Sequence, residues 1–272
     1  MTSPAVAQQD SEETFDRLVD EGEQRLGRTW TGLSATALLG GIDIGAGAIA
    51  LLIVEHYTHS IVLGGLAFSI GFIALTLAHS ELFTEGFLIP VAAVAAKKST
   101  PLALLRLWGM SIVGNLIGGW AIMGIAMVAF PDLHATALES GGFYIDLGTT
   151  WRAFALAVLG GFAITLMTHM QHSTESDGVR LVPAVTMGFL LGAGRLNHAI
   201  VASLLVFAAL HVGAPFGYTD WLQMFWLSVA GNMVGGLGLV TVLRLLQVPH
   251  KLAAEREQND PGTPAQDTEP ED

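Results

Sequence analysis

The chain has 272 residues, with 24 Asp and Glu against 12 Lys and Arg, and only 13% of its residues are charged. A soluble domain carries roughly 25%, and a mean hydropathy of +0.54 places the bulk of this chain in a membrane. Seven acids precede Trp30 and seven follow His250, so the net charge of −12 describes two solvated tails rather than an acidic functional surface, and nothing in it suggests nucleic acid.

The chain contains no cysteine, which excludes disulfides, thiolate metal sites and a Cys nucleophile. Residues 1–28 are acidic and polar, unlike a signal peptide. Within them Phe15, Leu18, Val19 and Leu26 suit an amphipathic helix on the cytoplasmic face. On these residues alone it is a solvated helix that anchors the subunit.

A membrane helix needs about 20 apolar residues. Residues 31–54 qualify, with Asp43 as their one charge. Residues 61–79 follow and end at His79-Ser80-Glu81, and a short apolar piece, 86–96, closes at Lys97-Lys98. The third span is 105–130, then a loop over 131–149, and the fourth span is 150–171. Residues 172–180 form a polar turn, 181–194 are apolar, Arg195 to His198 interrupt, and 199–211 are apolar again. The last span is 221–246. Six crossings are expected, the second and fifth each broken in two. Residues 29–248 form the membrane domain, 1–28 a cytoplasmic tail, and 249–272 a disordered cytoplasmic tail.

Arg17, Arg25, Arg28, Lys97, Lys98, Arg106, Arg180, Arg244, Lys251 and Arg256 fall on one side if both termini are cytoplasmic, leaving Arg152 near the other. Span three carries Ser111-x-x-Gly114-Asn115-x-x-Gly118-Gly119, and span six repeats it as Ser228-x-x-Gly231-Asn232-x-x-Gly235-Gly236 at an offset of 117. Three crossings separate the copies, so they run in opposite directions: a 3+3 inverted repeat. The glycines permit close helix approach, and Asn115 and Asn232 can each bond across to a neighbour. Both asparagines read as structural.

Backbone groups freed by a break are tolerated at membrane depth only where protein or a wet cavity satisfies them. Two breaks in corresponding places mark a transport site near the midplane. The segment SELFTEGFLIP, the duplicated GNxxGG and the late N-H-A-I resemble the formate/nitrite transporter family over roughly residues 28–248. The resemblance implies an aquaporin-like, all-α integral membrane subunit, assembled as a homopentamer in a bacterial-type inner membrane. It implies a channel or transporter for small monovalent anions or their weak acids (formate, nitrite, hydrosulfide, short carboxylates), not an enzyme, with no cofactor. By the same resemblance Thr84 is the loop threonine and His198 the central histidine. Phe68, Leu82 and Phe83 narrow the pathway, with Phe72 and Leu191 beside them and Asn197 adjacent. The chain departs from the family at Asn197, where Glu is frequent, at Ala202, where Asn is frequent, and at Asp43. For the family's outer lysine the nearest candidate is Arg152.

Physical chemistry weighs the same residues. An imidazole in apolar surroundings stays mostly neutral; His198 could then donate a hydrogen bond and gain or release a proton as an anion arrives. Its bland role is a buried histidine bonding a neighbouring helix. Thr84 can donate and accept, orienting His198 or a carboxylate, or it caps the half-helix that follows. Phe68, Leu82 and Phe83 are otherwise ordinary core residues. Glu81 and Glu85 flank the first break and can brace it by accepting free N–H groups; Arg195 needs a partner, for which Asp43 and Glu85 are the candidates. His169-x-x-His172 is a weak metal cue with no nearby carboxylate or cysteine to complete it, so no metal is assigned. The alternatives are a channel for another small neutral solute or weak acid, and a membrane enzyme using the histidines. Expected partners are the substrate, protons, membrane lipid and other copies of the chain.

Overall fold

The computed structural model describes residues 4–259, with side chains from residue 8 onward. The described chain is helical throughout. Helix α1 (Pro4–Leu26) leads into α2 (Trp30–Thr58) and α3 (Ile61–Ala78). A 3₁₀ turn over Phe83–Phe87 precedes the short α4 (Ile89–Ala95), followed by α5 (Pro101–Ala129), α6 (His134–Asp146) and α7 (Trp151–His172). Then come α8 (Asp177–Ala193), α9 (Ala199–His211) and α10 (Tyr218–Met233). The last runs through a π-helical stretch, Val234–Thr241, into α11 (Val242–Leu245), and α12 (Pro249–Gln258) ends the described chain.

Five helical stretches are long and apolar enough to cross a membrane: Trp30–Thr58, Ile61–Ala78, Pro101–Ala129, Trp151–His172 and Tyr218–Leu245. Thr29, Ser60, Thr100 and Thr150 each accept a backbone N–H of the first turn, starting α2, α3, α5 and α7 where polar sequence gives way to apolar. These helices bury one side and leave Leu66, Ile70, Val113, Ile117 and Trp226 exposed on the other. Water would penalise such a surface; lipid or a second subunit would not. The closest approaches fall on the repeated glycines. A Cβ on Gly118 would strike the Leu38 carbonyl of α2, and one on Gly235 the Val158 carbonyl of α7.

Two regions differ from expectation, and a third, α1, shows what its apolar stripe covers. The 131–149 loop contains α6, because Leu133, Ala137 and Tyr144 are buried in the core that includes α9. Residues 249–258, expected in a disordered tail, form α12, which Arg256 Nε ties to the Ala95 carbonyl at 2.6 Å; residues 260–272 lie outside the described part. Helix α1 presents its apolar face to protein rather than to a membrane surface. Phe15, Leu18 and Val19 pack on Leu88, Ile89 and Ala92, and Leu26 on Leu33 and Ala93.

Candidate functional site

Both interruptions are built the same way. Helix α3 stops at His79, whose φ of 52° is left-handed, and α8 gives way at Arg195, with φ of 45°. Just beyond, the Glu81 N–H donates to the Thr36 carbonyl of α2 at 3.1 Å, and the Asn197 N–H to the Leu156 carbonyl of α7 at 3.2 Å. Asn115 Nδ2 donates to the carbonyls of Ala37 and Glu81 at 2.7 and 2.8 Å, while its Oδ1 accepts the Phe83 N–H at 2.9 Å. Asn232 repeats this with the carbonyls of Ala157 and Asn197 at 2.7 and 3.1 Å and the Ala199 N–H at 2.8 Å. Each asparagine thus takes up backbone groups that its break leaves without helical partners.

The two breaks meet at one contact. Thr84 Oγ1 lies 2.7 Å from His198 Nε2, and both residues are fully buried. The other ring nitrogen fixes the tautomer. His198 Nδ1 accepts the Val201 N–H at 3.3 Å, so His198 caps α9 with its own imidazole. In the neutral ring the proton therefore sits on Nε2 and is donated to Thr84. The Thr84 hydroxyl hydrogen has no acceptor among the described residues. Protonating Nδ1 would mean giving up the Val201 N–H.

Phe68, Phe72, Leu82, Phe83 and Leu191 are all buried in one core with the residues of α9. Phe68 and Phe72 meet edge to face at 5.5 Å, and Phe83 meets Phe87 likewise at 5.0 Å. Asn197, expected on the pathway, turns its amide onto the scaffold. Its Oδ1 accepts from Ser228 Oγ at 2.7 Å, and its Nδ2 reaches the Ala153 carbonyl at 3.4 Å.

Glu81 and Glu85 are partnered by arginines of the N-terminal segment, not by N–H groups of the break. Arg25 Nη1 reaches Glu81 Oε1 at 3.3 Å and Glu85 Oε2 at 3.4 Å, and Arg28 Nη1 reaches Glu81 Oε2 at 2.8 Å. Arg25 also pairs with Glu21, whose other oxygen lies 2.7 Å from His172 Nε2. His172 Nδ1 donates to the Thr168 carbonyl at 2.8 Å. Burial alone would raise the Glu21 carboxyl; Arg25 and His172 outweigh it and hold it well below the usual carboxylate range. A chamber of about 40 Å³, room for a water or two, lies between Glu21, Arg25, Thr76, His79, Ser80 and Glu85. A cavity of about 640 Å³ borders α1 with Arg17, Asp20, Arg28, His79, His172 and Arg180 on its walls.

The partner of Arg195 is neither Asp43 nor Glu85 but Glu55 of α2, at 3.8 Å. Asp43 has a buried Oδ2 without a hydrogen bond. No group of three or more His, Asp or Glu that could hold a metal occurs among the described residues. The pairings of Arg25, Arg28 and Glu55 carried no signal in the sequence, since each depends on contacts far apart along the chain.

A bundle of apolar helices, two of them ending at buried breaks joined by a threonine–histidine contact, defines a membrane transport protein. The profile described as "Formate/nitrite transporter" matches residues 12–246, and the chain belongs to that family. It is a family of transporters and channels, not of enzymes. Inner membrane protein YfdC of Escherichia coli is 27% identical over 254 residues, covering 89% of this chain and 80% of that protein. Formate channel BtFdhC of Bacillus thuringiensis is 24% identical over 241 residues, covering 84% and 92%. Among solved structures, an "FNT family ion channel" superposes with a TM-score of 0.77 at 15% identity, covering 87% of this chain and 99% of that one. A "Pentameric formate channel with formate bound" superposes with a TM-score of 0.69 at 23% identity, covering 79% and 96%.

Proposed function

We propose that the chain is a subunit of an inner-membrane channel that passes small monovalent weak acids, formate foremost, between the two helix breaks. The observation that carries this is the buried Thr84–His198 contact, which sets an uncommitted hydroxyl hydrogen among fully buried Phe68, Phe72, Leu82 and Leu191. Six crossings in a 3+3 inverted repeat account for the paired asparagine networks; α3 with α4, and α8 with α9, each make one crossing in two pieces. Both termini lie in the cytoplasm, which places α1 at the inner mouth and Arg195 at the outer one. The subunits assemble as a pentamer, as in the formate-bound relative.

A bare anion loses many kcal/mol of hydration in such a passage, and a proton removes most of that cost. The substrate therefore crosses as its neutral acid, bringing its proton from the aqueous side. Thr84 donates to a substrate oxygen as it passes, and His198, held neutral by its cap on α9, orients Thr84. The test is flux into vesicles containing the purified protein, with formate, nitrite, hydrosulfide and acetate supplied over a range of pH. Rates that rise as pH falls, in proportion to the neutral acid, support the reading. Flux indifferent to pH, or absent for every acid tried, refutes it.

A further inference from the structure

We infer that the groove between α2 and α5 is a binding site for one anionic phospholipid, with Arg106 at its headgroup end. The site lies on the outer wall of the subunit, away from the two breaks, and does not depend on what the protein transports.

The groove follows from how α2 and α5 pack. They run side by side in the same direction, since Trp30 meets Arg106, Leu38 meets Gly118 and Gly45 meets Ile122. Gly114 and Gly118 bring the two backbones together, because a Cβ on either would strike Ala37 or Leu38. Gly109 serves no such approach: a Cβ there would meet nothing within 4 Å. A glycine inside a helix is destabilising, and this one returns no packing within the chain. It opens a groove of about 690 Å³ whose walls include Trp30, Leu38, Leu105, Val113 and Ile117.

The length fits an acyl chain of one leaflet. From Arg106 to Ile117 the groove follows α5 for about 16 Å at the helical rise, and half of a bilayer's hydrocarbon core is about 15 Å.

The end at Arg106 is polar. The guanidinium lies over the Trp30 ring at 5.4 Å. Its Nη2 donates to the carbonyls of Leu26 and Arg28 at 2.6 and 3.0 Å, where α1 ends. Its Nε is buried without a hydrogen bond, and no carboxylate pairs with it among the described residues. Arg28, by contrast, is paired with Glu81 at 2.8 Å. The first turns of α2 and α5 lie at this same end and add partial positive charge. An anion is therefore favoured here and an apolar chain along the rest, which is the chemistry of an anionic phospholipid. Basic pockets between membrane helices take such headgroups, and an indole like that of Trp30 suits the depth at which they lie. A length of one leaflet, closed by a cation without a carboxylate, favours lipid over a second copy of the chain.

The experiment uses the purified, delipidated oligomer in detergent. Native mass spectra and thermal melts are recorded with added phosphatidylglycerol, phosphatidylcholine of the same chains, or inorganic phosphate. Wild type is expected to retain phosphatidylglycerol about fivefold better than phosphatidylcholine, as one basic contact gives, and to melt higher with it. Gly109→Leu puts a side chain into the groove without striking the rest of the subunit and should erase that preference, while Gly109→Ala should keep it. Arg106→Gln should leave the two lipids binding alike. Equal retention of both lipids by wild type would overturn the inference, and so would an unchanged preference in Gly109→Leu. Inorganic phosphate that raises the melt as far as phosphatidylglycerol would make this an anion site and not a lipid site. If Gly109→Leu instead splits the oligomer, the groove is a seam between subunits and the lipid assignment falls.

Discussion

At the residue scale, the two breaks are held together by hydrogen bonds that have no redundancy. Thr84 Oγ1 is the one polar partner of His198 Nε2 among the described residues. Thr84→Val keeps the volume and removes the donor. A hydrogen bond to a charged or polarised group contributes about 1.5–3 kcal/mol, so formate flux should fall roughly tenfold to a hundredfold while the oligomer elutes unchanged. Unaltered flux would reduce Thr84 to a helix filler. Asn232 has a different burden, since it satisfies three backbone groups at once. Asn232→Ala strands the Ala199 N–H and the Asn197 carbonyl in a buried setting at about 1–3 kcal/mol each, while the Ala157 carbonyl keeps its partner within α7, and a thermal melt in detergent should show a drop of many degrees. A melt within a degree of wild type would mean that water replaces the amide. Thr84, His198 and both asparagines were legible because each interrupts or repeats within an apolar run. The role of Asn197 was not. It stands where Glu81 stands in the first half, but Glu81 has Arg25 and Arg28 beside it, and Asn197 has Ser228 and a carbonyl. A carboxylate there would lack a cation, which gives a physical reason for the amide.

At the element scale, α1 is the part the sequence described least well. Its apolar stripe was visible, yet the surface it covers is α4 and the first break rather than lipid. Likewise α6 and α12 are short and polar enough to read as loop and tail until their packing partners are seen. The long helices were legible because twenty apolar residues leave little alternative. Docking of α1 adds ion pairs to its apolar packing. Removing Arg25 leaves Glu81 and Glu85 short of a cation, and breaking a buried pair from one side costs about 3–5 kcal/mol. Arg25→Gln should therefore raise deuterium uptake across residues 8–26, and protection equal to wild type would contradict the ion-pair account. The pH dependence has a definite sign. Glu21 has a folded pKa below its ordinary value, so its contribution is full above the ordinary carboxylate range. It is lost progressively as pH falls from that range through the depressed value. Protection of α1 should thus persist at pH 4, whereas Glu21→Gln should lose part of it already at pH 7.

At the scale of the whole molecule, one chain leaves broad apolar faces bare, with Ile70, Val113, Ile117 and Trp226 among the exposed residues. A fivefold ring would cover part of them. Native mass spectrometry from detergent should give five copies, and a stable dimer or tetramer would require a different arrangement of these faces. The paired asparagine networks were legible because SxxGNxxGG recurs in register; the packing of α1 was not, since it reaches Glu81 and Glu85 at the first break and also His172 of α7. What remains decisive is whether the buried contact lies on the route. The most direct measurement is the initial rate of formate-driven flux into vesicles for wild type and His198→Phe at matched density and confirmed oligomer. Passage between the two breaks predicts flux that rises as pH falls in wild type and a rate near that of empty vesicles in His198→Phe. A His198→Phe rate equal to wild type would place the pathway elsewhere in the molecule.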